Sequence, residues 1–290
     1  MRLALIAAAF AVSNSAGAKP APVAPEAKAF AVGKLQVFAL RDADNVVDND
    51  GKTFGVGHSP AEVGAVLRRA GAPETQIRIS VDALLVKADG RVMLFDTGLG
   101  PRVHGVLIAS LARAGVRPAE VTDVFITHSH GDHVGGLVGP DGSPAFPHAV
   151  VHMSAREWAW MKNQPQNAAL VRAILAQVKP FEPGDDLAPG VRAVALYGHT
   201  PGHVGYQISS GGAHLLDFGD VAHSSIVSLA EPDWTIGYDN DAEQGKRTRK
   251  ATLAQLAHSG ELAFGPHMPF PGVGHVVVSG DGYVWKPAVP

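Results

Sequence analysis

Cysteine is absent from the 290 residues. That excludes disulfides, thiolate metal sites, iron–sulfur clusters and a cysteine nucleophile together. An excess of positive charge is missing too: Lys plus Arg is 24 against 27 for Asp plus Glu, a formal net charge of −3. A nucleic-acid binder would carry a basic excess on one face, so no nucleic-acid partner is expected. Charged residues are scarce at 18% against 46% hydrophobic, which excludes a solvated, disordered chain. No apolar run reaches transmembrane length, so no membrane partner is expected either. Glycine (33) and proline (21) supply turns but follow no collagen period. Histidine is what the chain has in quantity, at 14.

The first residues read as an export signal. Met1-Arg2 supplies a positive charge, Leu3 to Val12 an apolar run, and Ala16-Gly17-Ala18 a small-residue cleavage site. A signal peptide over 1–18, cut after Ala18, predicts a periplasmic or secreted protein. Residues 19–33, with a Pro- and Ala-rich stretch from Ala21 to Ala29, read as an N-terminal tail or linker. Residues 34–290 then form one domain.

Short strands alternate with helices through that domain. Lys34–Leu40, Ile79–Val86 and Arg91–Phe95 read as strands, with Asp89-Gly90 as a hairpin turn. Ser59-Pro60-Ala61-Glu62 combines an N-cap, a proline at the first helical position and a capping-box glutamate, so a helix runs from there to about Ala70. Val103, Val106, Leu107 and Leu111 share one face of a second helix. Val121–Ile126 and Ala149–Met153 are strands, followed by helices over Ala155–Lys162 and Ala168–Val178. Strands at Val191–Leu196, Val204–Ile208 and Ala213–Asp217 precede a helix capped by Asp241 and running through His258. Short strands near Glu261–Phe264, His275–Val278 and Tyr283–Trp285 close the chain. Intermixed strands and helices predict sheets covered by helices. Lys246, Arg247, Arg249 and Lys250 read as a solvated helix face.

The chemistry concentrates in Thr127-His128-Ser129-His130-Gly131-Asp132-His133, directly after an apolar strand. His128, His130, Asp132 and His133 put four metal-capable side chains into six positions. Imidazole and carboxylate are the ligands borderline divalent metals take. One metal cannot use all four from so short a loop, so two adjacent metals are expected: one on His128 and His130, the other on Asp132 and His133. His199, Asp220 and His267 also follow strands. Asp220 is the candidate bridge, His199 completes one metal's ligands and His267 the other's. His275 is an alternative to His267. Asp96, at a strand end, reads as a ligand orienter or a loop cap, and His203 as an outer hydrogen-bond partner of the site. His58, His104, His148, His152, His214, His223 and His258 read as ordinary surface or core histidines.

H-x-H-x-D-H is the defining motif of the metallo-beta-lactamase superfamily, and this sequence resembles that superfamily over nearly its whole length from about Lys34. Leu94–Gly98, Gly198–His203, Gly219-Asp220, His267–His275 and Gly280–Pro287 look like its methyl parathion hydrolase branch. The resemblance implies an α/β fold, an αββα sandwich of two mixed β-sheets flanked by helices. It implies one metal on His128, His130 and His199, a second on Asp132, His133 and His267, and Asp220 between them.

Two divalent ions about 3.5–4 Å apart acidify a bridging water, so a metal-bridging hydroxide is the expected nucleophile. Asp132 and Asp220 are the candidate catalytic residues. Zinc is the expected metal, with manganese, iron or cobalt also compatible. The expected substrate is a small uncharged ester-like molecule: a lactone, an aryl ester or an organophosphate triester. Trp158, Trp160, Phe181 and Phe270 are candidate pocket liners, each with core packing as the alternative. The competing activities are hydrolysis of β-lactams and, on the same fold, an iron-dependent redox reaction. A homodimer is compatible with the sequence, which does not fix the oligomeric state.

Overall fold

A computed structural model describes residues 18–289. The expected signal peptide therefore lies outside the described residues, apart from Ala18. In chain order the strands of the first half are β1 (Ala18–Ala21), β2 (Ala27–Val32), β3 (Leu35–Asp48), β4 (Phe54–Val56), β5 (Gln76–Ala88), β6 (Arg91–Phe95), β7 (Asp123–Phe125), β8 (Val150–Ser154) and β9 (Val178–Phe181). The second half adds β10 (Asp186–Ala188), β11 (Val191–Ala195), β12 (Val204–Ser210), β13 (Ala213–Asp217), β14 (Thr235–Ile236), β15 (Leu262–Phe264), β16 (Val273–Ser279) and β17 (Gly282–Pro287). The helices are α1 (Pro60–Arg69), α2 (Leu107–Arg113), α3 (Gly131–Val134), α4 (Ala155–Lys162), α5 (Ala168–Ile174), α6 (Val227–Ala230) and α7 (Ala242–Ser259).

Among the described residues, one sheet has eight strands in the order β1-β3-β5-β6-β7-β8-β9, with β2 also on β3. A second has seven, β10-β11-β12-β13-β15-β16-β17. Both are mixed: β6 to β9 run parallel and the rest of the first sheet antiparallel, while β13 and β15 form a parallel pair in the second. Period-2 patterning explains the layers. In β5 and β6, Leu84, Val86, Met93 and Phe95 face the second sheet's Val204, Tyr206, Ile208, Leu215 and Phe264. Leu85 and Leu94 face the other way, onto Leu107, Leu111, Trp158 and Ile174 of α2, α4 and α5. On the far side Leu216 and Ala263 pack under Leu253 and Leu256 of α7. The result is the expected αββα sandwich.

Local signals act where they were read. Ser59 Oγ accepts from the Glu62 backbone N–H at 3.3 Å, and Glu62 accepts the Ser59 N–H at 2.7 Å. Asp89 and Gly90 both take positive φ (48° and 75°), the geometry a two-residue hairpin needs.

Three expectations are corrected. Residues 19–33 are not a free tail: β1 pairs with Asp44–Val47 and β2 with Leu35–Leu40, and Val32 is buried. The alternation Ala27-Lys28-Ala29-Phe30-Ala31-Val32 is a strand pattern inside an Ala-rich composition. The helix expected over Ala168–Val178 stops at Ile174, because Val178–Phe181 pairs in parallel with β8. The basic run is not wholly solvated: Arg249 is 1% exposed.

The position of the sheets fixes where chemistry can occur. β7, β13 and β15 end together at one edge of the sandwich, and the segments that leave them are 126–133, 218–223 and 265–272. Tyr206, deep between the sheets, donates its hydroxyl to the Ile126 carbonyl at 2.6 Å, tying the first of these segments to the opposite sheet.

Candidate metal centre

The seven side chains singled out as ligands converge at that edge. His128 leaves the end of β7; His130 is the N-cap residue of α3, which places Asp132 and His133 in a single short turn. His199 follows β11, Asp220 follows β13 and His267 follows β15. Two groups form. In one, ligand atoms of His128, His130, His199 and Asp220 all lie within 4.8 Å of one another; in the other, those of Asp132, His133 and His267 do.

Asp220 stands between the groups and lies within 3.5 Å of imidazole nitrogens of both. Its Oδ2 lies 3.5 Å from His128 Nε2 and 3.2 Å from His199 Nε2. Its Oδ1 lies 3.2 Å from His133 Nε2, and His267 Nε2 faces both oxygens, 3.2 Å from Oδ1 and 3.3 Å from Oδ2. A tetrahedral ion with ligands at about 2.1 Å has ligand–ligand edges of about 3.4 Å, so these spacings fit divalent metals. Buried His133 Nε2 and Asp220 Oδ1 have no hydrogen-bond partner, as expected of atoms reserved for a cation.

The opposite ring nitrogens are anchored, which turns each Nε2 inward. His133 Nδ1 lies 2.7 Å from Asp96 Oδ2, and Asp96 also accepts from the Thr127 N–H and hydroxyl at 2.8 Å each. His267 Nδ1 lies 2.6 Å from the Ser80 carbonyl. His199 Nδ1 lies 3.0 Å from Asp239 Oδ1, and Asp239 Oδ2 accepts from Arg249 at 2.7 Å. Arg249 in turn donates to the carbonyls of Val221 (3.0 Å) and Trp234 (2.8 Å). His203 Nδ1 donates to the Leu196 carbonyl, and its Nε2 accepts the Asp220 backbone N–H at 3.0 Å. Gly219, at φ +51°, leaves the room that ring occupies.

The charge states follow from burial set against the carboxylates beside each ring. Burial alone would push the Asp220 carboxyl up, but His133, His267, His223 and His128 around it hold it well below the carboxylate range. Burial opposes protonation of His133, yet Asp220, Asp96 and Asp132 raise it well above the usual imidazole value. His199 is likewise raised against burial, to about 9, by Asp220 and Asp239. Burial, reinforced by the His199 charge, pushes His130 and His203 down to about 3.

Not every candidate belongs here. His275 lies in β16 with Nδ1 on the Glu261 carbonyl at 3.2 Å and joins neither group. Trp158 and Phe181 are core residues, 6% and 7% exposed, because α4 and β9 turn those positions inward. Trp160, on the opposite face of α4, is half-buried with its ring 6.1 Å from His130. Phe270 is half-buried against the inter-sheet core, beneath the Arg41 guanidinium.

The sequence did not disclose four contributors. His223 is 2% exposed, and its Nε2 sits 3.1 Å from Asp220 Oδ2. With Asp220 and His267 it forms a third group of potential ligands. Only its place three residues after Asp220 pointed to it. Arg249 had a signal, since it falls in phase with Leu253 and Leu256 on α7. Asp239 and Glu157 had none, because their partners are distant in sequence.

Comparison with known proteins agrees with the geometry. The sequence model of the metallo-beta-lactamase superfamily matches residues 77–258. The chain is 37% identical over 132 residues to metallo-beta-lactamase domain-containing protein 1 of Xenopus laevis, 43% of this chain and 48% of that protein, so it spans about half the length of that relative. The structure superposes on AidC, a dizinc quorum-quenching lactonase in complex with the product N-hexnoyl-L-homoserine, with TM-score 0.86 and 29% identity over 92% of this chain and 98% of that one. It also superposes on the hydrolase AbOPH of the beta lactamase superfamily, with TM-score 0.83 and 28% identity over 92% and 98%.

Proposed function

Because the chain belongs to the metallo-beta-lactamase superfamily, we propose that it is a binuclear metal-dependent hydrolase of ester-like bonds, with lactones its principal substrates. The observation that carries this reading is Asp220: one carboxylate lies within 3.5 Å of His128 and His199 on one side and of His133 and His267 on the other. A carboxylate flanked by ligands of both groups suits a pair of cations and is not needed by one. The likeness to a dizinc lactonase and to a hydrolase over 92% of the chain supports the class of reaction. The sequence's resemblance to the methyl parathion hydrolase branch supports aryl esters and phosphotriesters as the next substrates in order. Residues 1–18 make export part of the proposal.

When bound, two such ions supply Lewis acidity and bring the acidity of a shared water near neutrality. The chain does the rest. His128, His130 and His199 would hold one ion and Asp132, His133 and His267 the other, with Asp220 between. Asp132, whose side chain is 25% exposed, is the carboxylate at the opening, placed to orient the attacking water and accept its proton. Trp160 beside His130 offers an apolar wall to the substrate.

Metal analysis of the purified chain together with a panel of a lactone, an aryl ester, a phosphotriester and a β-lactam tests the reading. Close to two transition-metal ions per chain and fastest turnover of the lactone are expected. Asp220→Ala should lower kcat/KM by about 100-fold or more, since the bridge carries several kcal/mol of charge stabilisation. One iron per chain, or undiminished turnover in Asp220→Ala, would sink the proposal.

A further inference from the structure

Glu157 is a fully buried carboxylate, 0% exposed, which the reaction itself does not use. It lies in the first turn of α4, beneath both histidine loops. Oε1 accepts from the Ser129 backbone N–H at 2.8 Å and from the Ser129 hydroxyl at 2.6 Å. Oε2 accepts from the Thr200 hydroxyl at 2.7 Å and from the Gly202 N–H at 3.0 Å. Ser129 separates His128 from His130, and Thr200 directly follows His199. Ser154, the N-cap of α4, completes the junction: it accepts the Glu157 N–H at 3.1 Å and donates to the Gly202 carbonyl at 2.7 Å. Gly202 is obligatory there, because a Cβ would run into the Glu157 backbone.

We propose that Glu157 is a positioning residue that sets the separation of the two ligand-bearing loops, and thereby the affinity of His128, His130 and His199 for their metal ion. This rests on the metal-dependent reading above. Each oxygen holds one loop, so a single rigid carboxylate spans both. All four donors are neutral, so its negative charge is left to act on whatever cation the loops enclose. Loop-borne ligands reach a productive geometry only when held within about 0.5 Å, which neither loop secures alone. A glutamine of the same shape cannot replace it. Its amide nitrogen would meet two donors on one side, leaving one loop unheld and the charge removed.

The test compares wild type with Glu157→Gln and Thr200→Val by zinc uptake at buffered free zinc, and by the visible spectrum of the cobalt-loaded chain. Asp123→Asn serves as a control: Asp123 is equally buried, and its partners Arg91 and His152 lie away from the ligands. Outer partners of metal ligands are worth roughly 10–100-fold in affinity. Glu157→Gln should bind one of its two ions that much more weakly, with an altered cobalt spectrum. It should recover kcat at excess zinc with KM unchanged, since Glu157 touches no substrate. Thr200→Val should show the same effect in smaller degree, and it decides the matter if Glu157→Gln does not fold. Unchanged affinity in both variants, or an equal loss in Asp123→Asn, overturns the clamp while leaving the metal centre in place. A wild-type chain that takes up no metal overturns the metal reading, and the clamp with it.

Discussion

Asp220 has imidazole nitrogens of five histidines, His128, His133, His199, His223 and His267, within 3.1–3.5 Å. One carboxylate amid that many rings is a site organised for added positive charge, and Asp42, a buried carboxylate within reach of the Asp132 charge, shows the complementary cost. Asp42 is 0% exposed; its oxygens take the Leu99 N–H at 2.6 Å and the Leu107 N–H at 2.7 Å. Burial outweighs those two hydrogen bonds and lifts its pKa from 3.8 to about 6. A carboxyl raised on folding contributes stability that is complete below 3.8 and lost as pH rises through about 6. Two pH units correspond to about 3 kcal/mol. In metal-free protein, the stability of wild type relative to Asp42→Asn should therefore fall by about 3 kcal/mol between pH 4 and pH 7. Urea titrations of both proteins across that range check it; a constant difference would mean that Asp42 ionises freely.

At the scale of elements, α7 does more than cover the second sheet. Through Arg249 and Asp239 it reaches the back of His199, so helix and ligand are docked as one unit. Both partners are about 1% exposed, which makes the pair one that is costly to break from one side. Arg249→Met leaves Asp239 buried without its guanidinium, with His199 as its remaining partner, and should destabilise the chain by about 3 kcal/mol. Adding Asp239→Asn should restore part of that loss, as read by denaturant unfolding; an Arg249→Met protein within about 1 kcal/mol of wild type would show the pair to be dispensable. Arg249 also shows what sequence can and cannot carry at this scale. The capping box at Ser59 and Glu62, the Asp89-Gly90 turn and the tightly spaced ligands at 128–133 are local, so their residues suffice to read them. The seven candidate ligands were legible because each follows a strand and H-x-H-x-D-H has few other uses. β1 was not, since its strand character comes from pairing with β3, and the alternation of β2 was masked by its Ala-rich composition. Glu157 and Asp239 acquire meaning only from partners 28 to 45 residues away and 10 to 40 residues away respectively.

For the whole molecule, the proposed metal centre also lies on the seam between the two sheets. His128, His130, Asp132 and His133 come from the first sheet; His199, Asp220 and His267 come from the second. Cations shared across that seam, as proposed, would bind the folded chain and not the unfolded one, so they should stabilise it by mass action. At free metal about 1,000 times the dissociation constant the gain is about 4 kcal/mol per ion, on the order of 10 °C in thermal midpoint for a domain of this size. Protonation competes for the same atoms. In the metal-free chain His199 is raised from 6.5 to about 9, so its ion pair contributes stability that is full below pH 6.5 and lost as pH rises through about 9. A metal displaces that proton and is held more tightly as the proton becomes easier to remove. Scanning calorimetry with and without a chelator should therefore show a gap between loaded and stripped protein that widens from pH 6.5 toward pH 9. The stripped protein should supply part of the change by losing stability of its own. A gap that stays constant across that range would mean that His199 gives up no proton to the metal, and that the cations do not join the sheets through it.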